Sequence, residues 1–314
     1  MINVLNEKIL KRLQKAGYKI IGKNKHSAVK LCLWTRRSIR TGEKEFCYKQ
    51  KFYGDIGIKS HGCLQMTPCF PFCTLRCAFC WRDTSITYPK WIGKTDEPEE
   101  IIEKSIKAQR ELLSGLGGVS HSKKHLKEAM SPSNAAISLA GEPTFYEKLS
   151  QLIQVFHKRN MKTFLVTNGT FPERLESLEI LPTQLYISLC SNSKEMMKKT
   201  QKPLISDAWE NLNKTLELFP SLKTRRVIRL TLVKNLNMSE PEKYAKLIER
   251  ALPDFIEVKA GMAVGFSRLQ NRMKYEDMAS HEEIKHFSKK IANSLGYKIK
   301  DEKRDSRVVL LTKN

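Results

Sequence analysis

Apolar and polar residues follow two alternating patterns from residue 135 to residue 295. Short apolar runs predict buried strands, and they lie at 135–140, 163–167, 185–189, 227–233 and 255–259. Stretches with apolar residues three or four positions apart predict helices, and they lie at 147–159, 207–218, 240–251 and 281–295. Strands that alternate with helices indicate a parallel sheet built of βαβ units.

The first 134 residues add one strand and two helices to this pattern. A strand ends at Met66-Thr-Pro, which gives six strands in all, and residues 1–17 and 96–113 have helical periodicity. Ile2, Leu5, Ile9, Leu10 and Leu13 form the apolar side of the first helix. Residues 119–132 read as a polar basic loop, in which His121 and His125 are either solvated, the favoured interpretation, or ligands. Residues 307–311 read as a last extended piece. The fold expected is α/β, a partial (β/α)6 barrel whose polar clusters lie at the carboxyl ends of strands.

Charge and hydropathy narrow the class of protein. The 314 residues carry 56 Lys and Arg against 33 Asp and Glu, a net charge of +23, which favours a polyanionic partner such as a nucleic acid. The basic candidates for that contact are Arg36, Arg37, Arg40, Lys198, Lys199, Lys223, Arg225 and Arg226. No apolar run approaches the roughly 20 residues of a membrane span. The N-terminus lacks the apolar core of a signal peptide, so we expect a cytoplasmic protein without membrane contact.

Five of the eight cysteines fall between residues 63 and 80, and three of them have the spacing C-x3-C-x2-C: Cys73, Cys77 and Cys80. Three thiolates at this spacing can hold three irons of a four-iron cluster and leave the fourth iron open to a small molecule. Structural zinc sites usually place cysteines in two separated pairs, a pattern that is absent from this sequence. The spacing therefore favours iron–sulfur over zinc.

Three further cysteines precede this loop, namely Cys32, Cys47 and Cys63, separated by fourteen and fifteen residues. They are either buried structural cysteines or the ligands of a second cluster with one open iron. Lys49 and Lys51 follow Cys47 among aromatic residues. A desolvated lysine can act as an amine nucleophile on a carbonyl, although most lysines in a basic region are simply solvated.

Polar residues at the strand ends are the remaining candidates. Gly141 and Glu142 follow the second strand, Thr167 and Asn168 end the third, and Ser188 ends the fourth. Glycine lets a backbone approach a ligand closely, and a carboxylate can pair with an ammonium group. The alternative for each is an ordinary structural turn.

The motif C-x3-C-x-aromatic-C, with Phe79 as the aromatic residue, resembles the cluster loop of the radical S-adenosylmethionine (SAM) superfamily. This resemblance implies that the open iron binds the methionine part of SAM and that one electron then yields a 5′-deoxyadenosyl radical. It also implies that Phe79 lies near the adenine, that Gly141 and Glu142 bind the amino group of SAM, and that Thr167 and Asn168 contact SAM. Ser188 is a weaker candidate for the same cofactor.

Within the superfamily, the chain resembles the archaeal tRNA 4-demethylwyosine synthases. The matching pieces include Cys47-Tyr-Lys-Gln-Lys-Phe-Tyr-Gly, the Cys-Trp-Arg ending at Arg82, Gly141-Glu-Pro-Thr and Gly265-Phe-Ser-Arg268. The resemblance implies two [4Fe-4S] clusters, the second on Cys32, Cys47 and Cys63. It implies a carbon–carbon lyase or synthase that condenses N1-methylguanosine-37 of a tRNA with pyruvate, with Lys49 forming a Schiff base to pyruvate.

The expected organisation is an N-terminal extension, residues 1–62, packed on a radical SAM barrel, residues 63–314. The resemblance further implies a monomer that receives electrons from a separate protein. Two other functions are considered: a radical SAM activase that makes a glycyl radical on a partner, and a zinc-containing RNA-binding module. Iron content discriminates among them, since about eight irons per chain indicate two clusters, about four the activase and none the zinc module.

Overall fold

The computed structural model describes residues 5–313, which divide into two compact units. Unit 1 comprises Met1–Phe72, Lys90–Val166 and Glu179–Thr183, and unit 2 comprises Cys73–Pro89, Thr167–Leu178 and Gln184–Asn314. Among the described residues, the first and last strands in each unit's strand order do not pair with each other, so the strands of neither unit close on themselves. The described helices include none that is long and apolar enough to cross a membrane.

Unit 1 contains a mixed sheet. Its strands are β1 (Tyr18–Ile21), β2 (Ser27–Lys30), β3 (Cys63–Thr67), β4 (Asn134–Ile137) and β5 (Lys162–Thr167). β2 pairs antiparallel with β1 and β3, while β4 pairs parallel with β3 and β5. The register places Cys63, the first residue of β3, directly beside Asn134.

The helices of unit 1 are α1 (Glu7–Lys15), α2 (Leu33–Thr41), α3 (Tyr48–Phe52), α4 (Pro98–Ser114), α5 (Lys123–Ala129) and α6 (Leu149–Lys158). α4 begins with Pro98 in its first turn, followed by Glu99 and Glu100, which favour the positive end of the helix dipole. On its apolar side, Ile101, Ile102 and Leu113 are fully buried. The alternation of apolar and polar residues along this segment is what predicts the helix from the sequence.

Unit 2 contains the other half of the strands. They are β6 (Gln184–Ser188), β7 (Arg225–Leu232), β8 (Phe255–Ala260), β9 (Tyr297–Lys303) and β10 (Val308–Lys313). Its helices are α7 (Pro172–Glu176), α8 (Lys194–Thr200), α9 (Ala208–Leu218), α10 (Pro241–Ala251), α11 (Phe266–Leu269) and α12 (His281–Leu295). β6, β7 and β8 are parallel, and β10 pairs antiparallel with both β8 and β9. α12 starts at a capping box of Ser280 and Glu283 and ends at Gly296, which has the positive φ of a helix C-terminus.

The six strands expected from the apolar pattern are β3 to β8, and all six are present. The last extended piece, 307–311, forms most of β10, and the N-terminal helix is α1, although Ile2 lies outside the described residues. The sequence pattern missed β1, β2 and β9. β9 is an edge strand of mostly charged residues, which carries no apolar signal.

The prediction of a basic loop at 119–132 was wrong, because residues 123–129 form α5. Ser122 caps this helix by accepting a hydrogen bond from the backbone N–H of His125 at 3.4 Å. A serine at this position is a sequence signal for the start of a helix. The helix was missed because its apolar side is short and most of its residues are charged.

The interior of unit 2 depends on β10, so we expect Leu310→Ala to be strongly destabilising. Leu310 is fully buried in the middle of this strand. Truncating it leaves a cavity, and the free energy of unfolding should fall by about 2–5 kcal/mol. Leu269→Ala is the matched control, since Leu269 is 75% exposed. Denaturant unfolding measures both, and equal effects of the two substitutions would contradict this packing.

Candidate active site

The cysteine loop of unit 2 runs from Cys73 to Arg82 without a helix or strand of its own. Backbone hydrogen bonds hold its first half. Arg76 and Ala78 donate their N–H groups to the carbonyl oxygens of Gln201 and Thr200, both at 2.9 Å. The loop therefore has a fixed path even though regular secondary structure does not impose one.

The second half of the loop is held by one side chain, Arg272. Its Nη1 donates to the carbonyl oxygens of Cys77 and Ala78, at 2.8 and 3.0 Å. Its Nη2 donates to those of Cys80 and Arg82, at 2.8 and 3.0 Å. A planar guanidinium presents its donors in a rigid fork, so these bonds fix the relative positions of the carbonyl groups. Arg272 thereby fixes the backbone that carries the second and third thiols.

The thiols of this loop lie close enough to affect each other's protonation. Burial raises the pKa of Cys77 well above its ordinary value, and the thiols of Cys80 and Cys73 raise it further. Burial opposes the charge of the Arg82 guanidinium, but Cys73, Cys80 and Cys77 together raise its pKa. Three crowded thiols beside a buried cation are suited to a group that binds thiolates and removes their protons. This donor set fits an iron–sulfur cluster.

Asn168, at the end of β5, contacts the start of the same loop. Its Nδ2 donates to Thr74 Oγ1 at 2.9 Å and lies 3.9 Å from Cys73 Sγ. Its Oδ1 accepts from the backbone N–H and the hydroxyl of Thr170, at 3.0 and 2.7 Å. These hydrogen bonds fix Asn168 next to the first thiol. This position agrees with a residue that contacts a small molecule bound to the cluster.

Thr167 and Ser188 are the last residues of their strands, β5 and β6. The Thr167 hydroxyl accepts a hydrogen bond from the backbone N–H of Gly169 at 3.0 Å, which shapes the turn after β5. Ser188 is paired in register with Arg229, and Arg229 donates to the buried carboxylate of Glu257 at 2.8 Å. The proposed role of Ser188 stays a prediction.

Phe79, the aromatic residue of the loop, is half-buried. It packs against an apolar cluster formed by Val233, Ala263 and Met273. One part of the ring is thus used to hold the loop in unit 2. A contact with adenine stays a prediction for this residue.

In unit 1, Gly141 and Glu142 form a tight turn after β4. Gly141 has a φ of +76°, and a Cβ added there would lie 2.5 Å from the carbonyl oxygen of Cys69 and 2.6 Å from that of Phe72. Only glycine is compatible with this conformation and approach. The carboxylate of Glu142 is buried and accepts from the backbone N–H and hydroxyl of Thr144, at 3.2 and 2.7 Å.

The three upstream cysteines and Lys49 also lie in unit 1. Cys32 and Cys47 are the N-cap residues of α2 and α3, where the helix dipole favours a negative group. Burial raises the pKa of Cys63 well above its ordinary value, and Cys32 and Cys47 raise it further. Lys49 and a hydrogen bond with Asn134 lower it. The structure therefore brings these three thiols and the Lys49 amine into one electrostatic group, a donor set that fits a second cluster.

Lys49 and Lys51 differ in their surroundings. Lys49 is half-buried, and its Nζ lies 4.6 Å from the centre of the Phe164 ring, whereas Lys51 is exposed. The positive charge of Lys49 also lowers the pKa of Cys63. Sequence reasoning left the choice between the two lysines open, and this geometry favours Lys49.

The two other cysteines are buried. Cys69 Sγ lies 3.3 Å from the hydroxyl of Thr67 and 3.9 Å from the carbonyl oxygen of Ala140. Burial raises the pKa of Cys190 to about 11. Both are in surroundings typical of structural cysteines.

Sequence reasoning missed Arg272 and Asn134. Arg272 follows the Gly265-Phe-Ser-Arg268 block, where a single arginine in a basic chain gave no signal of its own. Asn134 begins a strand of small residues, and only the strand register places it beside Cys63. Long-range pairing of this kind is not visible in local sequence patterns.

We expect Arg272→Ala to loosen the cysteine loop. The loop carbonyls lose charge-assisted hydrogen bonds worth about 1.5–3 kcal/mol each, so peptides covering residues 73–82 should exchange amide hydrogen at least about tenfold faster. Iron uptake during anaerobic reconstitution should fall as well. Arg272→Lys should not restore protection, because an ammonium lacks the planar fork.

Arg304→Ala is the control for this change, since Arg304 is exposed and pairs with Glu282 at 2.7 Å. Hydrogen exchange measured by mass spectrometry separates the variants. Unchanged exchange of residues 73–82 in Arg272→Ala would contradict the role assigned to this side chain.

We expect Gly141→Ala to destabilise unit 1 and to weaken SAM binding by at least about tenfold. The left-handed conformation costs a residue with a Cβ about 1–2 kcal/mol, and the close backbone oxygens add a steric cost. Gly117→Ala is the control, because no atom lies within 4 Å of its added Cβ. Denaturant unfolding and equilibrium dialysis with labelled SAM test the pair, and wild-type behaviour of Gly141→Ala would refute this reading of the turn.

Comparison with known families covers nearly the whole chain. Residues 67–248 match the radical SAM superfamily, and residues 250–313 match a family described as wyosine base formation. An S-adenosyl-L-methionine-dependent tRNA 4-demethylwyosine synthase of Pyrococcus abyssi is 48% identical, covering 98% of this chain and 89% of that protein. The synthase of the same name from Methanocaldococcus jannaschii is 40% identical, covering 98% of this chain and 96% of that protein.

Solved structures agree with these relatives. A structure described as "Structure of TYW1 with a lysine-pyruvate adduct bound" aligns with a TM-score of 0.86 at 40% identity, covering 98% of this chain and 96% of that chain. "Crystal structure of archaeal TYW1" aligns with a TM-score of 0.78 at 35% identity and the same coverage. These matches favour the synthase over the activase and the zinc module. The chain therefore belongs to the radical SAM superfamily and, within it, to the family of tRNA 4-demethylwyosine synthases.

Proposed function

We propose that this chain condenses N1-methylguanosine-37 of a tRNA with pyruvate to form 4-demethylwyosine, using two [4Fe-4S] clusters and SAM. The observation that carries the proposal is the grouping of Lys49 with the thiols of Cys32, Cys47 and Cys63 in unit 1. A radical SAM enzyme that only activates a partner protein has no use for an amine beside a second set of thiols. The reaction class is a carbon–carbon lyase or synthase.

When bound, the cluster on Cys73, Cys77 and Cys80 supplies the electron that splits SAM and yields the 5′-deoxyadenosyl radical. The residues of the chain position these partners. Arg272 fixes the loop, and Arg82 supplies positive charge beside its thiols. The buried Glu142 carboxylate is suited to the ammonium group of SAM, with Gly141 allowing close approach. Asn168, Thr167, Ser188 and Phe79 complete the proposed SAM contacts.

Lys49 is the proposed covalent catalyst. Its amine adds to the ketone carbon of pyruvate and expels the oxygen as water, which gives a Schiff base that holds pyruvate. The Phe164 ring beside Nζ shields the amine from bulk water. A solved relative described as carrying a lysine–pyruvate adduct supports the same chemistry here.

The polyanionic substrate agrees with the net charge of +23. Arg36, Arg37 and Arg40 are exposed on α2, the helix that begins after Cys32, and are the favoured tRNA contacts in unit 1. Arg226 is a poorer candidate because its guanidinium is paired with Asp254 at 3.1 Å.

Further elements of the proposal come from the sequence pattern and the family resemblance together. They are a partial (β/α)6 barrel formed by residues 63–314, an extension formed by residues 1–62, a separate electron-donor protein, a monomeric state and a cytoplasmic location.

We expect Lys49→Ala to abolish 4-demethylwyosine formation and to retain SAM cleavage, because the amine that binds pyruvate is lost while the cysteine loop of unit 2 is unchanged. The assay is anaerobic incubation of reconstituted protein with SAM, reductant, carbon-13-labelled pyruvate and tRNA bearing N1-methylguanosine, followed by nucleoside mass analysis. Borohydride reduction should trap pyruvate on the wild-type peptide that contains Lys49.

Lys51→Ala is the companion variant and should retain labelled product. Product from Lys49→Ala together with loss in Lys51→Ala would move the amine to Lys51. Failure of the wild-type protein to make labelled product from these substrates would refute the proposed reaction.

A further inference from the structure

A second group of metal-binding side chains lies in unit 1, apart from the cysteines. Glu43, His61 and His125 come from three separate segments: the end of α2, the approach to β3, and α5. One ligand atom from each lies within 4.8 Å of the others. His61 Nδ1 is 3.1 Å from Glu43 Oε1, and His125 Nε2 is 3.4 Å from Glu43 Oε2.

The 3.4 Å separation matches the spacing of ligands around a small divalent cation, and the 3.1 Å separation is about 0.2 Å shorter than that spacing. Zinc binds imidazole nitrogen and carboxylate oxygen at about 2.0–2.2 Å, so two ligands of a tetrahedral site lie about 3.3–3.5 Å apart. The two imidazole rings have centroids 4.7 Å apart, close enough to share one ion.

The surroundings of His61 are the observation that indicates a bound metal ion. Its side chain is 1% exposed, and its Nε2 lies 2.7 Å from Glu128 Oε2. A carboxylate on Nε2 holds the proton there and leaves a lone pair on Nδ1, the arrangement that orients most metal-bound histidines. Nδ1 is buried and makes no hydrogen bond among the described residues, yet it faces the Glu43 carboxylate. A metal ion bound by both groups would satisfy this nitrogen lone pair and the facing carboxylate together.

The same group is tied to the segments that carry the upstream cysteines. Gln50 Nε2 donates to Glu43 Oε1 at 3.3 Å, and Gln50 Oε1 accepts from the backbone N–H of Ser60 at 2.7 Å. The hydroxyl of Ser60 accepts from the backbone N–H of Cys47 at 2.8 Å. An ion held by Glu43 would therefore stiffen the backbone at both Cys47 and residues 60–61.

We propose that Glu43, His61 and His125 bind one Zn²⁺ or a divalent cation of similar size, with water as a further ligand and Glu128 as the support of His61. The ion joins the end of α2, α5 and the start of β3, and so holds in place the two segments that carry Cys47 and Cys63. Its nitrogen and oxygen donors distinguish it from the thiol sites, which favour iron–sulfur.

The test uses the full chain, reconstituted anaerobically with iron and sulfide so that the cysteines are occupied. The protein is then dialysed against Zn²⁺, and bound zinc is counted by mass spectrometry. X-ray absorption at the zinc edge identifies the ligand atoms. We expect about one zinc per chain with nitrogen and oxygen neighbours and without sulfur.

His125→Ala and Glu43→Gln should each weaken zinc binding by at least about 100-fold, and Glu128→Gln by about 10–100-fold. His121→Ala is the matched control, because His121 lies near α5 but its ring contacts the carbonyl oxygen of Val119. It should retain wild-type zinc.

Three results would overturn the proposal: no zinc in the wild-type protein, sulfur neighbours around the zinc, or equal zinc in wild type and the folded variants. A protonated His61 paired with both carboxylates predicts the first of these. The wild-type measurement needs no variant, so a variant that fails to fold does not leave the proposal untested.

Discussion

The hydrogen bonds from Arg272 to the cysteine loop are the constraint on which the site depends. The loop between Cys73 and Arg82 has no helix or strand of its own, and backbone hydrogen bonds to Thr200 and Gln201 hold only its first half. The guanidinium of Arg272 donates hydrogen bonds to four loop carbonyl oxygens and so fixes their relative positions. Arg272 belongs to the segment matched to wyosine base formation, whereas the loop belongs to the segment matched to the radical SAM superfamily. A residue from the family-specific segment thus holds in place the cysteine loop that is common to the superfamily.

Charge explains the other features of both thiol groups. Buried thiols resist ionisation, so positive charge nearby favours the thiolate form that binds metal. Unit 2 supplies the buried guanidinium of Arg82. Unit 1 supplies the amine of Lys49 and two helix N-termini, at Cys32 and Cys47. The same lysine is the proposed nucleophile, so one residue would balance the charge of the thiols and bind the second substrate.

The sequence predicted those features of the structure that depend on short, regular patterns of residues. Strands β3 to β8 and their helices follow from apolar runs, and the cysteine loop follows from its spacing. β9 was missed because a charged edge strand lacks that pattern. Arg272, Asn134 and the contact of His61 with His125 were missed for a different reason, since each depends on pairing between residues far apart in the chain. The sequence interpretation took His125 as solvated, and only the helix α5 reveals that it faces His61.

The central claim is that Cys73, Cys77 and Cys80 alone hold a cluster with an iron open to SAM. Low-temperature electron paramagnetic resonance of the reduced Cys32→Ala, Cys47→Ala, Cys63→Ala triple variant tests it most directly, because the other thiol group is then removed. The account predicts one reduced [4Fe-4S] signal whose g values change when SAM is added. A variant that retains no iron, or a signal indifferent to SAM, would contradict it.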